Sequence, residues 1–241
     1  KILAEGEALP AGWACDGTTG YDFMDQAGAW LHAPDSAQAL SDQWQARSGD
    51  TRSLEQVQQA ARDALLDGLL HADLQRLLLC VRQTVGEAAA LGDICDAMLR
   101  RALCALLRHY PVYRPYALQT PAERNVLAAA EAAAVQGLDA AGRAAVSLLV
   151  NALQAPEGHE LRVRFGQLSA PLNAKAVEDT AFYRYYRALS RNEVGSDPQR
   201  IGLDGEALVE IAAARARQHP LAMLALATHD HKRGPDARAR L

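Results

Sequence analysis

From Ser53 onward, apolar residues recur every three or four positions. Leu54, Val57, Ala61, Leu65 and Leu69 are followed by Leu74, Leu77, Leu78 and Val81. Together they make one stripe, which predicts a long amphipathic helix. Ser53-Leu54-Glu55-Gln56 reads as its start, since the serine hydroxyl can accept from the third backbone N–H while Gln56 reaches back. A second helix is expected to open at Asp93, to carry Ile94, Met98, Leu99, Leu103, Leu106 and Leu107, and to stop at Pro111. Thr120-Pro121-Ala122-Glu123 places a capping threonine, a first-turn proline and a third-position glutamate. The alanine-rich helix it starts should end near Gly137. Asp139 caps a fourth, with Ala144, Val146, Leu149, Val150 and Leu153 on one face and Pro156 as its stop.

The flanks read differently. Over residues 1–30, Gly12, Gly17 and Gly20 punctuate short apolar stretches, which fits a strand, a tight turn and another short element. Beyond residue 160 charged and aromatic residues crowd together, and a helix is expected from Glu206 to Gln218. Pro220 then precedes Leu221-Ala222-Met223-Leu224-Ala225-Leu226-Ala227. That short continuous apolar run suits a strand buried on both faces, as in a parallel barrel. The shifts in pattern divide the chain at 1–52, 53–158 and 159–241.

Composition narrows the classes of partner. The 241 residues are 49% hydrophobic and 22% charged, enough to bury a core. A formal charge of -4 gives no basic surplus for nucleic acid or an anionic membrane. No apolar run reaches the roughly 18 residues of a spanning helix, and no signal peptide is visible. Cys80, Cys95 and Cys104 sit in apolar helical patterns, Cys15 stands apart, and no CxxC pair occurs. Small buried hydrophobes in a reducing cytoplasm are the expectation, without a zinc site.

Three segments could carry chemistry. Thr228-His229-Asp230 would end the apolar run, and strand C-terminal ends face the active site of a β/α barrel. A carboxylate and an imidazole there can hold sugar hydroxyls beside an oxocarbenium-like centre. Equally, the pair can mark a strand entering a polar loop. Lys175 to Tyr185 packs Lys175, Glu178, Asp179 and Arg184 with Phe182, Tyr183 and Tyr185. Such mixtures bind sugars by stacking and charged hydrogen bonds, but an amphipathic helix with Phe182 and Tyr186 inward would look the same. Asp16 to Phe23 has turn-forming glycines without the lysine of a phosphate loop.

Taken together, these segments resemble the maltooligosyltrehalose synthase family. Asp16–Phe23 is similar to its DGTTGYDF segment, Ala174–Tyr185 to AKGVEDTAFYRY, and Thr228–Arg240 to THDTKRGEDVRAR, the fourth sequence region shared by the α-amylase clan. Asn192-Glu193-Val194-Gly195 matches a further NEVG stretch, and Tyr110-Pro111-Val112-Tyr113-Arg114 another. The segments occur in family order across nearly the whole chain. Ala176 stands where the family usually has glycine, His231 replaces threonine, Pro235 replaces glutamate and Ala237 replaces valine.

The resemblance implies a mainly α chain, a helical insertion with partial segments of a (β/α)8 barrel. It implies no cofactor and no metal, and a maltooligosaccharide as substrate. The family's chemistry uses an aspartate nucleophile, a glutamate acid/base and a second aspartate that binds the distorted sugar. Asp230 corresponds to the last of these. His229, Lys232, Lys175, Glu178, Asp179, Tyr183 and Arg184 are the implied substrate-binding residues. The family's third region reads VEKIL, and Lys1-Ile2-Leu3 resembles its end. The chain is therefore expected to be an internal piece, lacking the acid/base, the nucleophile and the N-terminal barrel part of the same polypeptide. Alone it should be inactive, and severed strand edges could self-associate.

Two other readings remain at this point. His229-Asp230 is similar to the adjacent pair of metal-dependent phosphohydrolases, although His71 and His109 lack the helical spacing for further ligands. Residues 53–155 could also act as a non-catalytic helical scaffold.

Overall fold

The computed structural model describes residues 3, 7–10, 12–85, 94–116, 118 and 120–240. The chain divides into two compact units. One comprises residues 58–180, and the other comprises residues 1–57 together with 181–241. The secondary structure among the described residues is helical, without strands. The mainly α expectation is borne out. No helix of the described residues is long and apolar enough to cross a membrane.

The unit of residues 58–180 is an apolar helical assembly. The capping box at Ser53 forms as expected, with Gln56 N donating to Ser53 Oγ at 3.2 Å and Ser53 N to Gln56 Oε1 at 2.8 Å. It starts α1b, the helix Leu54–Asp67, whose greater part lies in this unit. The predicted long helix is in fact two. The first stops before Gly68, and a second, α2b, runs from His71 to Val85. Gly68 is a poor helix former, and Leu70 N turns back to Leu65 O at 2.8 Å. The stripe is also placed differently. Leu66 and Leu70 are buried, whereas Leu69 is 73% exposed. Both leucine pairs satisfy the helical period, so spacing alone does not choose between their members.

Asp93, the expected opener of the next helix, lies outside the described residues. Helix α3b spans Asp96–His109 behind Cys95, which gives no side-chain cap. Helix α4b, Pro121–Ala134, carries a complete capping box between Thr120 and Glu123. Asp139 accepts from Gly142 N to start α5b, Ala140–Gln154. Helix α3b packs on both α4b and α5b. Helix α6b, His159–Asn173, packs on α2b and passes into a π turn over Ala174–Glu178. Leu74, Leu99, Leu106, Leu127, Val146 and Phe165 are fully buried. At about 25 cal/mol per Å2, this burial is the main favourable term in the unit.

The other unit is built from helices α1a (Tyr21–Trp30), α2a (Ala37–Ser48), α3a (Gly205–Gln218) and α4a (Pro235–Ala239), joined by loops and single turns. Helix α3a matches its prediction closely, with Asp204 as its cap. One expected strand is corrected: 221–227 begins in a turn and continues as irregular chain without a β-ladder. Part of the strand expected within residues 1–30 lies outside the described residues, and the described residues before Tyr21 hold a turn and bends around Gly12, Gly17 and Gly20. A strand buried on both faces needs neighbours to take its N–H and C=O groups and layers to cover its side chains. Neither is present among the described residues: Leu221 is 74% exposed and Met223 60%.

This unit is held together by buried polar groups. The carboxylate of Asp25 takes Arg191 Nη2 at 2.5 Å, Asp197 N at 3.1 Å and a contact from Arg200. Arg191 also donates to Asp25 O and Arg200 O, at 3.0 and 3.1 Å. Asn192 Nδ2 donates to the carbonyls of Phe182 and Tyr185 at 2.8 and 2.6 Å. Most buried polar groups are hydrogen-bonded in this way, although Asn192 Oδ1 and Arg200 Nε find no partner.

Candidate active site

The expected site residues fall in both units. His229, Asp230, Lys232, Tyr183 and Arg184 belong to the unit of residues 1–57 and 181–241, and Lys175, Glu178 and Asp179 to that of residues 58–180.

In the first of these, three of the five family-like segments meet at Tyr21. Gly20 caps α1a with φ 91°, and a Cβ there would lie 2.5 Å from Ala225 N. Only glycine meets both demands cheaply. Thr18 Oγ1 bonds the Asp22 carboxylate and also accepts from Gly20 N at 3.3 Å. Gly195 of the NEVG stretch has φ 78°, and a Cβ would come within 2.8 Å of Tyr21 Cβ. The phenol so placed donates to Asp230 Oδ2 at 2.6 Å. A short O–H···O bond to a carboxylate is among the stronger hydrogen bonds. The other oxygen, Oδ1, lies 3.2 Å from His229 Nε2. Asp230 is half-open to solvent and His229 almost fully so, with side-chain exposures of 42% and 86%. A reachable, oriented carboxylate with an adjacent imidazole can take hydroxyl hydrogen bonds from a sugar.

The loop after Asp230 is anchored from below by Glu193. Its fully buried carboxylate accepts from Lys232 N at 2.9 Å and from Arg233 Nη1 at 3.2 Å. Arg233 also donates to Asn192 O and lies over the Tyr183 ring, 5.6 Å from its centre. The side chains of Lys232, Tyr183 and Arg184 are exposed. Pro235 takes the first position of α4a, where its missing N–H costs nothing.

In the residue 58–180 unit, the Tyr110–Arg114 segment meets residues 174–180 of the remaining one. Asn173 Nδ2 donates to the carbonyls of Tyr110, Val112 and Ser169 at 3.1–3.2 Å, and Arg62 Nη2 bonds its Oδ1 at 2.7 Å. Ser169 Oγ adds a bond to Tyr113 O at 2.6 Å. This clamp presents Tyr113, whose hydroxyl bonds Glu178. Lys175 pairs with Asp179 at 2.7 Å across the π turn, and Thr180 Oγ1 donates to Lys175 O. The π turn puts Glu178 and the Lys175–Asp179 pair near the helix end, a common use of π bulges. Ala176, at the family's glycine position, has its methyl fully buried.

Tyr21, Tyr113, Glu193 and His231 stand within the family-like segments without an expected role, and Asn173 lies just outside them. Glu193 carried a signal: an acidic residue flanked by Asn192 and Val194 in a segment without a helical period. Tyr21 carried none, because its partner lies far along the chain. Among the described residues no group of three or more His, Cys, Asp or Glu side chains is placed to hold a metal ion.

No family model matches the sequence. A protein of Mycobacterium tuberculosis provisionally named maltooligosyl trehalose synthase is 36% identical over all 241 residues of this chain, which span 30% of that protein's length. The structure of maltooligosyltrehalose synthase from Arthrobacter ramosus matches with a TM-score of 0.86 at 33% identity, again over 100% of this chain and 30% of that one. A hypothetical maltooligosyl trehalose synthase from Sulfolobus tokodaii, at 22% identity and a TM-score of 0.70, shares the fold. In sequence and in backbone, the chain is a relative of the maltooligosyltrehalose synthases, matching them along its whole length and corresponding to about 30% of theirs.

Proposed function

We propose that this chain supplies part of the active site of an enzyme that converts the reducing-end α-1,4-linked glucose of a maltooligosaccharide into an α,α-1,1-linked trehalosyl end. The observation that carries the reading is the Asp230 carboxylate, oriented by Tyr21 and flanked by His229, in a chain related throughout to maltooligosyltrehalose synthases.

The chemistry is intramolecular transglycosylation. A nucleophilic carboxylate attacks the anomeric carbon while an acid protonates the departing glycosidic oxygen, forming a covalent glycosyl-enzyme and free glucose. The glucose turns in place, and its anomeric hydroxyl attacks the glycosyl-enzyme as the former acid removes the proton. The new bond is α,α-1,1 and the nucleophile is released. Asp230 binds hydroxyls of the distorted sugar, and His229 assists it. Lys232, Lys175, Glu178 and Asp179 are assigned to binding the freed glucose, and so are Tyr183 and Arg184. Keeping water from the glycosyl-enzyme is what separates this outcome from hydrolysis.

Nucleophile and acid/base belong to other parts of the longer polypeptide, in the cytoplasm. The test uses that polypeptide with maltopentaose, reading non-reducing trehalosyl product. Asp230→Asn should lower kcat roughly a hundredfold or more while leaving the circular dichroism spectrum unchanged. The 241-residue chain alone should give no turnover. Near-parental kcat in Asp230→Asn would remove Asp230 from the chemistry, and turnover by the isolated chain would refute the division of the site.

A further inference from the structure

His231 stands next to Asp230 and has no part in the chemistry above. Its hydrogen bonds define its proton. Thr228 N donates to His231 Nδ1 at 2.9 Å, so Nδ1 carries a lone pair. His231 Nε2 lies 3.2 Å from Val194 O, an acceptor only, so Nε2 carries the hydrogen. The imidazole in this arrangement is neutral and in one tautomer. The same residue closes the turn through its backbone, with His231 N donating to Thr228 O at 3.3 Å. Asp230 N completes it by donating to Thr228 Oγ1 at 3.3 Å. The ring also meets Tyr21 edge-on, with centroids 5.4 Å apart and planes at 85°. Thus one side chain braces the turn that carries Asp230, the NEVG stretch and the tyrosine bonded to Asp230.

We propose that neutral His231 is a positioning residue for Asp230, and that its protonation releases the Thr228–Asp230 turn and the Tyr21 ring together. This rests on the assignment of Asp230 above. An imidazolium cannot accept the Thr228 N–H, so adding a proton breaks that bond and puts a charge on a half-buried ring. The groups facing the ring are Tyr21 on α1a, Glu193 and Val194 O on the NEVG stretch, Arg238 on α4a, and Asp230 on its own turn. Burial and, after it, the Arg238 charge push His231 below its usual value of 6.5, while Glu193 and Asp230 oppose them more weakly. The sign follows. The unfolded state takes up the proton first, so stability is full above 6.5 and falls as pH drops from there through the lower folded value. Activity should fail on the same acid side as the folded histidine is charged.

The test uses the complete polypeptide. His231→Ala should lower kcat about ten- to a hundredfold with a smaller change in KM, as expected when a reacting group is misplaced. His231→Asn provides an oxygen near the Nδ1 position that can accept from Thr228 N but does not titrate. It should recover most of the kcat that the alanine loses, and its acid limb should shift to lower pH or vanish. The melting temperature of the parent should fall with pH below 6.5 more steeply than that of His231→Asn. An unchanged kcat in His231→Ala, or an acid limb unmoved in His231→Asn, overturns the proposal. If Asp230→Asn keeps near-parental kcat, the Asp230 reading fails instead, and the melting comparison alone then decides whether neutral His231 braces the turn. If the alanine variant does not fold, the asparagine variant decides.

Discussion

Two ways of making an interior coexist in one chain. Residues 58–180 bury leucines from successive helices, and buried polar groups there cluster at Arg62, Ser169 and Asn173. The unit of residues 1–57 and 181–241 buries Asp25, Arg191, Asn192 and Glu193 among Tyr21, Met24, Phe182 and Val194. Apolar contact is non-directional and scales with area. Buried hydrogen bonds are directional, and losing one partner strands the other. The first kind of interior fixes a stable body. The second fixes loops at defined angles, which is what exposed groups such as Asp230 and Lys232 require. The units should therefore fail in different ways when comparable side chains are changed.

The largest effect should come from the Asp25 network. Arg191→Ala leaves a buried carboxylate short of its main partner, with an expected loss of about 3–5 kcal/mol. Arg191→Lys should recover little, because a single ammonium cannot replace the fork that reaches Asp25 Oδ1, Asp25 O and Arg200 O together. Urea denaturation of the complete polypeptide measures both, and a loss under about 1 kcal/mol in Arg191→Ala would show the network to be dispensable. Leu106, equally buried in the other unit, sharpens the contrast. Leu106→Ala should cost about 3 kcal/mol through the cavity it leaves, but Leu106→Met, of similar volume, under about 1.5 kcal/mol. If the two conservative changes cost the same, the distinction between the interiors fails.

The same contrast explains what could be read from sequence. Helix starts at Ser53, Thr120, Asp139 and Asp204 are local chemistry, contained within four residues; the sequence predicts the first three as caps and the fourth helix to within one residue of its start. The break at Gly68 is hidden because leucine pairs on both sides keep the apolar period running through it. The run 221–227 reads as a strand because its composition reports burial demand. Whether a ladder exists to meet that demand depends on residues elsewhere in the chain. Asp230 and its neighbours stand out through family-like segments. Tyr21, Asn173 and His231 gained their roles only when the fold showed their partners, which lie from 3 to 209 positions away.

The smallest expected effect tests the local end of that scale. Thr120 Oγ1 accepts from Glu123 N at 3.2 Å, and Glu123 Oε2 accepts from Thr120 N at 3.1 Å. The pair satisfies two N–H groups that the first turn of a helix otherwise leaves open. Thr120→Ala should cost about 1 kcal/mol, and Thr120→Ser close to nothing, since serine keeps the accepting oxygen. Neither change touches the buried leucines of α4b, so the loss should appear in urea denaturation without altering kcat. A cost in Thr120→Ala as large as that of Leu106→Ala would mean that the cap organises more than its own helix, and that even the apolar unit depends on directional bonds for its shape.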